Sequence, residues 1–142
     1  MNVARGLAPA GFTWNVFDTI LLSQEGYPSQ VGAGFGFSVL WADTDNSGYL
    51  DLVVGAPRHD VAIAGSEEGK YCLFRASTGQ ASTWPFVTFA DPTPNPDERF
   101  GAALSKGDRW GSLFQRDDIV VGAFNALIPE SGFTGEAFVY RN

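Results

Sequence analysis

The chain has 142 residues, 44% of them hydrophobic and 18% charged, with a formal net charge of −7. These figures describe one globular domain and exclude a disordered chain. The negative charge argues against a nucleic-acid partner, whose phosphates most of the surface would repel, and no run approaches the roughly 18 apolar residues of a membrane span.

Seventeen glycines and eight prolines punctuate short runs rich in Val, Phe and Trp. That pattern predicts many short strands joined by turns, an all-β chain, since no stretch has the period of a long amphipathic helix. The first ten residues lack the apolar core of a secretion signal. Either the protein stays inside the cell or the chain is a piece of a longer exported one, and the compartment stays open. Thr13-Trp14-Asn15-Val16-Phe17 begins a strand continuing to Leu22. Gly32-Ala33-Gly34-Phe35-Gly36 is not a dinucleotide fingerprint, because Phe37 stands where the last glycine belongs and a strand follows where a helix should.

A strand then runs into Asp43-Thr44-Asp45-Asn46-Ser47-Gly48-Tyr49-Leu50-Asp51. Carboxylates at positions 1, 3 and 9, with a hydroxyl at 5 and glycine at 6, can wrap oxygens around a hard cation such as calcium, which takes roughly 6 to 8 of them. The expected ligands are Asp43, Asp45 and Asp51 through carboxylates, Ser47 through its hydroxyl or a bridging water, and Tyr49 through its carbonyl. Gly48 supplies the sharp turn. An Asp-Asn-Ser-Gly segment is also ordinary turn chemistry, and the neutral Ser47 places any affinity toward the weaker end for calcium loops. Asp51 opens the unalternating run Leu52-Val53-Val54, the pattern of a strand covered on both faces. His59 falls in a polar loop and is expected to be solvated. Cys72 is read as a small buried hydrophobe. Pro85, which cannot donate to a ladder, puts the strand around Trp84 to Phe89 at an edge.

The chain repeats itself. Phe35-Gly36-Phe37-Ser38-Val39 returns as Phe100-Gly101-Ala102-Ala103-Leu104, Asp51 to Ala56 as Asp118 to Ala123, and Gly69 to Arg75 as Gly135 to Arg141. The displacements are 65, 67 and 66 residues. The first unit spans residues 35–90 and the second 100–141, within a single domain of residues 1–142. The second ends after its third strand, so residues 13–22, which echo Thr83-Trp84-Pro85-Phe86-Val87, are expected to supply its fourth.

Phe-Gly, a nine-residue acidic loop and Gly-Ala-Pro, in this order, resemble the FG-GAP repeat of integrin α-subunit β-propellers. The second copy departs from the pattern, with Trp110 where a carboxylate should stand, a loop two residues longer and Phe124 replacing the proline. That leaves one expected metal loop. The resemblance implies calcium-binding, four-stranded antiparallel propeller blades from a ring of seven, and an extracellular setting. Two blades alone would expose apolar faces. The expectation is therefore a homo-oligomeric ring, a trimer in preference to a tetramer, closed by the leading strand of a neighbour; a fragment of a longer seven-bladed propeller is the alternative.

Little in the sequence points to catalysis. One histidine and one cysteine are too few for a Cys/His pair or zinc. Glu67-Glu68 and Asp117-Asp118 are adjacent, face opposite ways on a strand, and read as surface charge. The expected activity is binding of protein or carbohydrate without an enzymatic reaction. The competing expectation is a carbohydrate-active enzyme with carboxylates converging in a propeller channel. Trp110 is the candidate exposed ligand contact.

Overall fold

The computed structural model describes residues 30–62, 64–77, 84–107, 116–128 and 132–141, with backbone alone at 128 and 133. The leading segment 13–22 and Trp110 lie outside the described residues. Among them no helix is long and apolar enough to cross a membrane.

Nine strands form. A four-stranded antiparallel sheet has the order β1 (Ser38–Ala42), β2 (Asp51–Ala56), β3 (Lys70–Phe74), β4 (Phe86–Phe89). A second sheet places β5 (Phe100–Gly107), β6 (Asp118–Ala123) and β9 (Glu136–Tyr140) side by side, and the short hairpin β7 (Leu127–Ile128) and β8 (Gly132–Phe133) falls between β6 and β9. The all-β expectation holds, and β4 is an edge strand immediately after Pro85. The second sheet has three strands among the described residues rather than four.

The repeat seen in sequence is a repeat of register. Ser38 pairs with Gly55 as Ala103 pairs with Gly122, and Leu52 pairs with Phe74 as Ile119 pairs with Tyr140. Side chains alternate between faces with period two, so identical register means that equivalent residues take equivalent faces. Leu40, Val53, Tyr71 and Leu73 of the first sheet pack against Leu104, Val121, Phe138 and Tyr140 of the second. The sequence equivalents of Leu40, Val53, Tyr71 and Leu73 are Ser105, Val120, Ala137 and Val139, which lie on the second sheet's opposite face. The two sheets therefore stack front to back, with β5 lying against β1, β2 and β3.

Two features fix that stacking. An aromatic group spans the interface: the Tyr71 ring stacks on Phe89 at 4.8 Å between centroids and meets Tyr140 edge-on at 5.5 Å, while Phe100 meets Phe138 at 5.2 Å. Such pairs add to plain area burial. Beside them the backbones touch. Ser38 Oγ donates to the carbonyl of Gly101 at 2.7 Å, and a Cβ on Gly55 would fall well inside van der Waals contact of that same oxygen. The glycine of the Gly-Ala pair in one unit thus seats the Phe-Gly glycine of the other, which has φ +86°.

The outer faces differ. Leu52, Val54, Cys72 and Phe74, on the outer face of the first sheet, are buried in a second cluster with Ala33, Phe35, Trp84 and Phe86, leaving Val39 and Trp41 of β1 exposed. Cys72 is the buried hydrophobe expected. On the second sheet Ala103, Ser105 and Ala137 are exposed, with Val139 at 52% and Phe124 at 65%.

Two expectations are corrected. His59 is buried rather than solvated, and that burial, with the Lys70 charge beside it, holds its pKa below the usual value. Glu68 is likewise buried, because the loop after β2 folds back and gives it the N–H groups of Val61 at 2.9 Å and Ala62 at 3.4 Å. Its neighbour Glu67 faces the other way and forms an ion pair with Arg99.

Candidate functional site

The acidic loop joins β1 to β2, so the ladder at Ala42–Asp51 sets its two ends side by side. Gly48 at φ +80° and Asn46 at φ 60° turn the chain back on itself; both residue types tolerate the left-handed region. Asp43 and Asp45 converge on one donor: the Ser47 N–H donates to Asp43 Oδ1 at 3.1 Å and to Asp45 Oδ1 at 3.0 Å. The Gly48 N–H donates to the other Asp43 oxygen at 2.9 Å. The Ser47 hydroxyl lies 3.5 Å from the Tyr49 carbonyl oxygen. Hydrogen bonding from Ser47 holds the Asp45 carboxyl below its usual pKa, and the nearby charge of Arg75 adds to this.

Asp51 is placed differently. It is fully buried, and its Oδ2 accepts from both the Thr44 N–H, at 3.2 Å, and the Thr44 hydroxyl. Its Oδ1 accepts from the Ala76 N–H at 2.8 Å, just past the end of β3. This carboxylate ties the loop's base to the sheet, while Asp43 and Asp45 gather at its tip. Among the described residues no group of three or more His, Cys, Asp or Glu is arranged to hold one metal ion.

An all-oxygen donor set remains, and it suits a hard cation. Two carboxylates, one hydroxyl and one carbonyl are close together, fewer than calcium's full complement, and water would complete the shell. The exposed tip allows that.

One residue read as surface charge proves to belong to this region. Asp117, at the entry to β6, accepts the Asp43 N–H at 2.8 Å through Oδ2, and its own N–H donates to the Asp43 carbonyl at 2.8 Å. Lys106 Nζ reaches the same Oδ2 at 2.7 Å. Burial works against charge on Asp117, yet Lys106 and the Asp43 N–H outweigh it and hold the carboxyl below the usual range. Asp118, next to it, is buried. Sequence spacing could not reveal this contact, because Asp43 and Asp117 are 74 residues apart.

A second acidic group lies in the connection between the sheets. Glu98 is fully buried and accepts the Asn95 N–H at 2.9 Å. Burial first, and the neighbouring Asp91 carboxyl second, push its pKa up to about 8.

The class defined by these features is an all-β module of two repeated, front-to-back antiparallel sheets, one with an acidic hairpin loop. No family model matches the chain. In an alignment 100 positions long that covers 66% of the chain, it is 32% identical to integrin alpha ina-1 of Caenorhabditis elegans. The chain spans 9% of that protein's length.

Proposed function

We propose that this chain is an integrin-like β-sheet module that acts by binding and assembly rather than by catalysis, and that its first partner is a second copy of itself. The observation that carries the reading is the outer face of the second sheet, which the described residues leave open. Ser105, Val120, Ala137 and Val139 are the equivalents of Leu40, Val53, Tyr71 and Leu73, which inside the molecule receive β5. The equivalent of β5 is β1, and its Val39 and Trp41 stand exposed on the first sheet's outer face. β1 of one copy would lie across β5, β6 and β9 of the next, repeating the internal contact. The sizes suit each other: Trp41 takes the place of Lys106, while Ala137 and Ser105 take those of Tyr71 and Leu40.

A front-to-back contact has no two-fold axis and extends until rotation closes a ring. A trimer of six sheets is the preferred assembly, a tetramer of eight the next, with the 13–22 segment as the fourth strand of each second sheet. The test is molar mass by light scattering: a multiple of 15.3 kDa is expected for the wild type and the monomer mass for Val139→Lys. A wild-type monomer at tens of micromolar removes the reading. Protein or carbohydrate ligands of the ring are proposed by analogy with the integrin relative alone.

The acidic loop completes the proposal as a calcium site of structural purpose. Asp43, Asp45, Ser47 and the Tyr49 carbonyl would hold the ion, and Asp51, already bonded to Thr44 and Ala76, would brace them. A bound cation offsets the repulsion of Asp43 and Asp45 and stabilises the folded state by mass action. Calcium is expected to raise Tm by several degrees over a chelator control, and Asp45→Ala to abolish the difference. Identical wild-type curves would remove the ion.

A further inference from the structure

We propose that Asp117 is the positioning residue of the acidic loop. It clamps Asp43 to the second sheet, so that capture of a cation at the loop stiffens the junction between the sheets. The inference rests on the calcium reading for the cation and on geometry for the clamp.

Asp43 is held at both ends of its residue by a single partner. Its N–H donates to Asp117 Oδ2 and its carbonyl accepts the Asp117 N–H, each at 2.8 Å. Two opposed hydrogen bonds fix the orientation of that residue, and therefore the direction in which its side chain leaves the backbone. The Asp43 carboxylate is also the acceptor for the N–H groups of Ser47 and Gly48, which shape the loop tip. Removing the clamp frees the root of the group that organises the tip.

Lys106 of β5 holds the clamping carboxylate at the same Oδ2, at 2.7 Å. A chain of contacts thus runs from β5 through Lys106 and Asp117 to Asp43 and the loop. On the opposite side Asp51 links the base of the loop to Ala76 after β3. The loop is anchored in both sheets, and anything that rigidifies it acts on both. Groups that orient a ligand without touching the ion typically alter metal affinity about 10-fold or more when removed.

The experiment uses the whole chain and two readouts. Without calcium, amide exchange at Ser47 and Gly48 is compared in wild type, Asp117→Ala and Asp117→Asn. Asp117→Ala is expected to speed both amides about 10-fold, and Asp117→Asn, whose side-chain oxygen still accepts the Asp43 N–H, to restore most of the protection. Unchanged exchange in Asp117→Ala overturns the clamp. With calcium added to wild type, exchange of the Asp117 N–H itself is expected to slow, and calorimetric affinity to fall about 10-fold in Asp117→Ala. Binding without any change at the Asp117 N–H overturns the coupling. A wild type that binds no calcium overturns the cation half of the proposal and the loop reading together, while the calcium-free exchange still decides the clamp. Should Asp117→Ala not fold, Asp117→Ser, whose short hydroxyl cannot reach the Asp43 N–H, takes its place with the same expectation, unchanged exchange again overturning the clamp, and the wild-type measurement still decides the coupling.

Discussion

The two sheets share a register and differ in cover. Every residue of β2 and β3 is buried, whereas β9, the equivalent of β3, is exposed or half-exposed throughout. The strands carry similar apolar residues: Tyr71-Cys72-Leu73-Phe74 against Ala137-Phe138-Val139-Tyr140. What separates them is what lies on each face. The first sheet has the second on one side and Ala33, Phe35 and Trp84 on the other. Among the described residues, the second sheet has one side filled. An unalternating apolar strand therefore signals that both faces need covering, and at β9 the described residues supply that cover on one face.

Glycine gives the sharpest way to break the comparison. Gly55 and Gly122 occupy equivalent positions in β2 and β6, yet an added Cβ at Gly55 would overlap the Gly101 carbonyl and Ser38 Oγ, while at Gly122 it meets Ala103, the Cβ at 3.3 Å and the carbonyl oxygen at 3.9 Å. Gly55→Ala is expected to exceed the usual overpacking penalty of about 1–3 kcal/mol and to part the sheets. Gly122→Ala is expected to cost under about 1 kcal/mol. Urea denaturation of the two variants measures the difference, and equal losses would mean that the stacking at Gly55 is not as described.

Legibility followed the distance over which each feature is decided. The displacements of 65, 67 and 66 residues fixed β2 against β6 and β3 against β9 to the residue, because register depends on period-two alternation along the strand. The loop's turn residues were equally local. The role of Asp51 was not: the acceptor for Ala76, 25 residues away, looks in sequence like one more ligand. Glu68 and His59 misled for the same reason, since the loop folding back over them is set by tertiary contacts. Asp117 carried no signal beyond an acidic pair, and its partner Asp43 belongs to the other repeat. Front-to-back stacking could be anticipated from the repeat, and the unalternating Leu52-Val53-Val54 announced a strand covered on both faces, but not that Ala33, Phe35 and Trp84 close the outer one.

The smallest expected effect concerns the joint between the sheets. Glu98, in the connection from β4 to β5, is faced by Asp91, Asn95, Tyr140 and, more distantly, Glu136. Its pKa stands at about 8 in the folded chain, above the ordinary glutamate value of about 4.3 in the unfolded one. The folded state therefore binds the extra proton between these limits, and its contribution to stability is complete below the lower and lost as pH rises through the higher. Stability should fall from pH 5 to 8.5, with Tm dropping further in the wild type than in Glu98→Gln. The amide, which carries no proton to lose, should flatten that slope and leave the variant the more stable of the two at pH 8.5. Parallel pH profiles for the two chains would show that Glu98 ionises as freely as an exposed glutamate and that the joint between the sheets admits water.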